Sequence, residues 1–125
     1  MRRLVAVVLI SILAVPAAAA APGTAQDFLD RANRLKGKGA LALFDGDLKK
    51  LQTEAITAGK SIGAERIADE KAGRPRAYCS PQPKASLGQS EFLSGLQAIP
   101  AAERSRISIK QALLQIIQKK YPCPR

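Results

Sequence analysis

The sequence predicts an all-α fold: a small bundle of four or five helices stapled by one disulfide, behind a cleaved signal peptide. Three features of the sequence point there. Every strongly periodic segment repeats its apolar residues at helical spacing, and none alternates with the period of two that a strand requires. Two serines, Ser86 and Ser108, stand three residues ahead of a glutamine, as in a capping box at a helix start. The chain opens as an export leader and keeps only two cysteines, Cys79 and Cys123, both in the exported part. In an oxidising compartment, two thiols in a small domain are most simply read as one bond.

The leader comes first. Arg2 and Arg3 precede an apolar run from Leu4 to Ile10 that continues through Ser11 to Val15, is broken by Pro16 and ends in five alanines. This order fits a secretory signal with an A-x-A cleavage site. Cutting after Ala20 leaves a single domain over residues 21–125, whereas cutting after Ala21 would put Pro22 directly behind the scissile bond. A retained anchor needs about 20 apolar residues, and the run before Pro16 is too short. The expected location is the periplasm, with no stable membrane anchor after cleavage.

Thr24 can cap a first helix, with Asp27 near its positive end and Phe28, Leu29, Ala32 and Leu35 on one face. Gly37 and Gly39 end it. Ala40 to Phe44 reads as a short apolar turn closed by Asp45, Gly46 and Asp47. A longer helix is expected from about Asp47 to Ala72, with Leu48, Leu51, Ala55, Ala58 and Ile62 on one stripe. Gly59 and Gly63 each cost about 1 kcal/mol relative to Ala, so a bend or break is expected there, and Gly73 is a natural stop. Ser86 and Gln89 open a helix burying Phe92, Leu93, Leu96 and Ile99 and ended by Pro100. Ser108 and Gln111 open a last one carrying Ile109, Ala112, Leu113, Ile116 and Ile117, with Lys119 and Lys120 in its final turn.

Between Gly73 and Ser86 lies the one long irregular stretch. It holds Pro75, Pro81 and Pro83 with Arg74, Arg76 and Lys84, and no acid occurs between Glu70 and Glu91. Loops of this length inside a small domain are often functional. Arg74, Arg76 and Lys84 are therefore the candidate partner-facing residues, against the plainer alternative of solvated loop charges.

The whole chain carries a formal charge of +10, and removing Arg2 and Arg3 leaves +8. Such a surface favours an acidic partner: a protein, lipid head groups or nucleic acid. Export argues against nucleic acid, as does the lack of aromatic residues interleaved with the bases. There is no histidine, which removes the commonest general acid/base, the Ser-His and Cys-His nucleophiles and most zinc sites. Asp45-Gly46-Asp47 lacks the remaining ligands of a calcium loop and suits a helix cap better. A Ser-Lys dyad has no marking motif. No catalytic residues, metal site or cofactor are expected, and the protein is expected not to be an enzyme.

From Tyr78 to Cys123 the chain reads Y-C-S-P, a linker, a capped helix ending in I-P, a polar turn, then S-x-x-x-A-L on a last helix ending in Y-P-C. This resembles the Rap/Tai-type periplasmic immunity proteins against type VI secretion amidase effectors, matching at Cys79, Pro81, Pro100, Ala112, Leu113, Pro122 and Cys123. The resemblance implies a non-enzymatic exported inhibitor that occludes a peptidoglycan amidase. The charge predicts an acidic rim on that partner, and exposed helix faces allow a homodimer. The alternative is a basic envelope-binding protein associating with anionic lipid or cell-wall polymers.

Overall fold

Thr24 starts the first helix through its own chemistry. Its backbone is extended, and its hydroxyl oxygen accepts a hydrogen bond from the Asp27 amide at 3.2 Å, satisfying one of the unpaired amides of the first turn. The computed structural model describes residues 19–80 and 85–125. The expected leader lies outside them apart from residues 19 and 20, as do Pro81, Pro83 and Lys84. Five α-helices succeed one another among the described residues: α1 (Ala25–Gly37), α2 (Gly46–Lys71), α3 (Gln89–Ala98), α4 (Ala101–Arg104) and α5 (Ile109–Lys120). A 3-10 helix, Gly39–Phe44, joins α1 to α2. There is no strand among the described residues. A single antiparallel bridge ties Thr24 to Ser108, drawing together the N-terminal caps of α1 and α5.

The core is made by the faces the periodicity selects. Phe28, Leu29 and Leu35 of α1 meet Leu51, Ala58 and Ile62 of α2, Phe92 and Leu96 of α3, and Ala112, Leu113 and Ile117 of α5. The Phe28 and Phe92 rings pack edge-to-face with centroids 5.4 Å apart. Tyr78 and Ile99 are buried with them, while Leu93 and Ile116 are half-buried against the cluster. Arg104, in the one-turn helix α4, turns back and donates to the carbonyls of Leu96, Gln97 and Ile99, so a cation closes the carbonyl end of α3.

Two expectations need correction. α2 runs unbroken through Gly59 and Gly63. Glycine lowers helix propensity without removing a backbone hydrogen bond, and the buried side of α2 is held by tertiary packing that outweighs local preference. The expected box at Ser86 and Gln89 is also not formed: α3 begins at Gln89 with Gly88 as its cap and no side-chain bond. Ser86 is occupied elsewhere, because its carbonyl accepts from the Tyr121 hydroxyl at 3.1 Å and from Lys120 at 3.0 Å. The box at Ser108 and Gln111 forms in full. Cys79 and Cys123 are bonded, with Cα atoms 4.8 Å apart and a separation of 44 in sequence. No helix of the described residues is long and apolar enough to cross a membrane.

Candidate functional site

The two ends of α2 differ sharply. Its 26 residues separate them by about 39 Å at the helical rise per residue.

At the C-terminal end, Gly73 adopts φ +70 and turns the chain out of the helix, a conformation that favours glycine. The segment behind it, from Arg74 to Ala77, is exposed along its whole length, yet it is held at several points. The Arg74 amide donates to the Asp69 carbonyl at 2.9 Å. The Gln118 side chain donates to the Ala77 carbonyl at 3.1 Å. The Cys79 amide donates to the Tyr121 carbonyl at 2.9 Å, beside the disulfide. Tyr78 is buried under the Arg66 guanidinium, whose carbon stands 5.2 Å from the ring centroid, a cation–π arrangement.

Of the three candidate partner-facing residues, the structure places two. Arg74 pairs with Asp69 at 2.8 Å and Arg76 with Glu70 at 3.4 Å, and both side chains remain more than half exposed. Both bases therefore fold back on the last turn of α2, and Lys84 lies outside the described residues. The loop is basic as written in sequence but charge-paired in space. Pairs this exposed contribute little to stability and exchange partners readily.

At the N-terminal end, Asp45 caps α2 by accepting from the Asp47 amide at 2.9 Å. It also forms an ion pair with Lys38 across the 3-10 helix. The Lys38 ammonium, and after it the Asp47 amide, holds the Asp45 carboxyl below its ordinary pKa. Deeper in, Arg31 reaches from α1 to Asp27 at 3.1 Å, Asp47 at 3.2 Å and Glu54 at 2.5 Å. The guanidinium is held charged even more firmly than usual, chiefly by the bond to Glu54. This cluster fixes the angle between α1 and α2. Between these clamps the 3-10 helix turns outward: Leu41 is 71% exposed, Leu43 75% and Phe44 88%.

That apolar projection is the feature the sequence understates. It reads there as a short turn with no assigned role. Its signal is a run of apolar residues, Ala40–Phe44, between Gly39 and Asp45, too short to form a two-sided helix and so unable to hide its large side chains. Elsewhere, α3 and α5 border a shallow groove flanked by the Glu91–Lys120 pair at 2.7 Å, in which Lys120 holds the Glu91 carboxyl below its ordinary pKa. Among the described residues no group of three or more His, Cys, Asp or Glu side chains is arranged to hold a metal ion.

Comparison of the chain with protein-family models, curated proteins and solved structures finds no match in any of the three.

Proposed function

We propose that this chain is a non-enzymatic exported inhibitor of the immunity type, which binds a peptidoglycan amidase effector of type VI secretion and occludes its cleft in the periplasm. The observation that carries the proposal is the exposed but tethered segment at the C-terminal end of α2. A segment already fixed by a disulfide, a buried tyrosine and backbone hydrogen bonds loses little freedom when a partner closes over it, so more of the contact energy appears as affinity. The residues that carry the resemblance, Cys79, Pro81, Pro100, Ala112, Leu113, Pro122 and Cys123, fall in the same disulfide-bounded half of the sequence.

The positive charge of the chain suits a partner with an acidic rim, which steers encounter and adds specificity. Arg74 and Arg76 contribute by changing partners: each leaves an acid in the last turn of α2 for an acid of the amidase. Such exchange gives a modest gain in affinity and a larger one in association rate at low salt. The Arg74, Arg76, Lys84→Ala variant is expected to bind the effector more slowly at low salt, with its folded stability nearly unchanged.

Periplasmic co-production tests the proposal. Cells exporting a type VI amidase effector lyse, and cells that also export this chain are expected to survive, while a leaderless version gives no protection. Lysis unaffected across a panel of such amidases contradicts it.

A further inference from the structure

The exposed 3-10 helix at the opposite end of α2 is not used by that proposal. It presents three large apolar side chains on a convex projection. Leu41, Leu43 and Phe44 are 71%, 75% and 88% exposed, while Ala42 between them packs against the core. The projection is ordered. The Leu41 amide donates to the Lys38 carbonyl at 3.2 Å, the Asp45 amide donates to the Ala42 carbonyl at 3.1 Å, and the Lys38–Asp45 ion pair closes its base. Keeping two leucines and a phenylalanine in water is unfavourable, in proportion to the apolar area left wet, so a clamped apolar projection of this kind calls for an occupant.

The surrounding charge indicates which one. Residues 31–50 hold six bases, Arg31, Arg34, Lys36, Lys38, Lys49 and Lys50, against two acids, Asp45 and Asp47. Arg31, Arg34 and Lys38 are engaged with carboxylates. Lys36, Lys49 and Lys50 are exposed and in no ion pair among the described residues. Lys49 and Lys50 also line a shallow open depression that begins at Gly46, two residues from Phe44. A second copy is a poor occupant, because a two-fold contact through this patch sets two such basic segments face to face. Composition argues against a protein pocket as well. Interface anchors are enriched in Trp, Tyr and Arg, with leucine under-represented, whereas this patch is Leu, Leu and Phe, with Lys38 at its base and Lys36, Lys49 and Lys50 close in sequence. Apolar side chains without a polar tip, beside flexible ammonium groups, are the composition that enters a headgroup–acyl boundary and meets anionic phosphates.

We infer that the 3-10 helix Gly39–Phe44 is a membrane-interface anchor that seats the folded protein on an anionic lipid surface: Leu41, Leu43 and Phe44 enter the boundary region, and Lys36, Lys49 and Lys50 face the lipid phosphates. The anchor is independent of what the far end of α2 recognises. The Arg74–Ala77 segment lies at the other end of α2, a helix about 39 Å long.

The chain has no tryptophan, so Phe44→Trp supplies a single reporter at the most exposed position of the patch. Protein purified after export, with loss of the leader verified by mass, is mixed with vesicles of phosphatidylglycerol and phosphatidylethanolamine, or of phosphatidylcholine alone. With the anionic vesicles the emission is expected to shift to the blue and to be quenched by bromine-labelled acyl chains, and with phosphatidylcholine to change little. A reporter at Ile67 near the other end of α2, Ile67→Trp, is expected to remain water-like with both. In the Phe44→Trp background, Leu43→Ser is expected to lower the vesicle partition coefficient about tenfold, as expected for removing one large buried apolar side chain. Lys49→Glu with Lys50→Glu is expected to abolish binding to the anionic vesicles. Circular dichroism verifies that each variant is folded. No blue shift with anionic vesicles, an equal shift at Ile67→Trp, or binding that survives both Leu43→Ser and the Lys49, Lys50 reversal would overturn the inference.

Discussion

Gly95 is the residue whose smallness the fold requires most directly. It sits in α3 where α5 passes closest, and a Cβ built there falls 2.8–2.9 Å from Cγ1, Cδ1 and Cγ2 of Ile116. Two of these atoms are at the branch of a β-branched side chain, which has little freedom to move aside. Alanine favours a helix over glycine by about 1 kcal/mol, but overpacking costs about 1–3 kcal/mol. Gly95→Ala is therefore expected to destabilise by about 1 kcal/mol in urea unfolding. Ile116→Ala removes the clashing atoms, so the double variant is expected to be more stable than the sum of the two single effects by about 2 kcal/mol, the overpacking relieved. Additive effects would mean that α3 and α5 do not approach this closely.

At the scale of elements, the two glycines in the middle of α2 behave oppositely. A Cβ at Gly59 or Gly63 meets nothing within 4 Å, so each carries the helix-propensity cost with no packing return. Gly59→Ala and Gly63→Ala are each expected to raise stability by about 0.5–1 kcal/mol, read as a higher urea midpoint at unchanged slope. A loss would mean that the face is covered. Much of the element plan is legible in the sequence, because it is local. Thr24 and Ser108 cap their helices where their spacing says, and the apolar periodicity names nearly all of the buried residues. What is not legible depends on residues distant in the chain. Ser86 fails as a cap because Tyr121 and Lys120, some 34–35 residues on, hold it. α2 survives its glycines because α1 and α5 support its other face. Arg74 and Arg76 stand in an acid-free stretch of sequence, yet Gly73 turns them back onto Asp69 and Glu70. The 3-10 helix shows its apolar composition in the sequence, but its exposure is set by the Lys38–Asp45 clamp, which only the folded chain reveals.

For the whole molecule, stability depends on the staple and on surface charge. Closing a 44-residue separation removes about 4 kcal/mol of chain entropy from the unfolded state in the simple loop model, and Cys123→Ser is expected to cost about 2–5 kcal/mol, measured as the drop in unfolding free energy. Acid acts through carboxyls whose folded pKa is depressed, Asp45 beside Lys38 and Glu91 beside Lys120. Depressed folded pKa values give stability that is fully present above the unfolded values, near pH 4 for such groups. It is lost as pH falls from there through the lower folded values. The melting temperature is accordingly expected to fall on acidification below about pH 4–5, and Asp45→Asn with Glu91→Gln is expected to flatten that fall. An unchanged acid limb in the double variant would assign the loss to other carboxyls.

In the proposed function, a basic, disulfide-stapled helical scaffold silences an amidase by covering its cleft. The most direct measurement titrates the purified exported protein into a type VI amidase effector digesting isolated sacculi, with muropeptide release monitored at low and at high salt. The predicted result is activity that falls in proportion to added protein, is abolished at equimolar ratio, and stays abolished at high salt, because the packing of a tethered segment into a cleft is little affected by screening that erases bare charge attraction. Muropeptide release that continues undiminished in excess protein, or inhibition that disappears as salt rises, contradicts it.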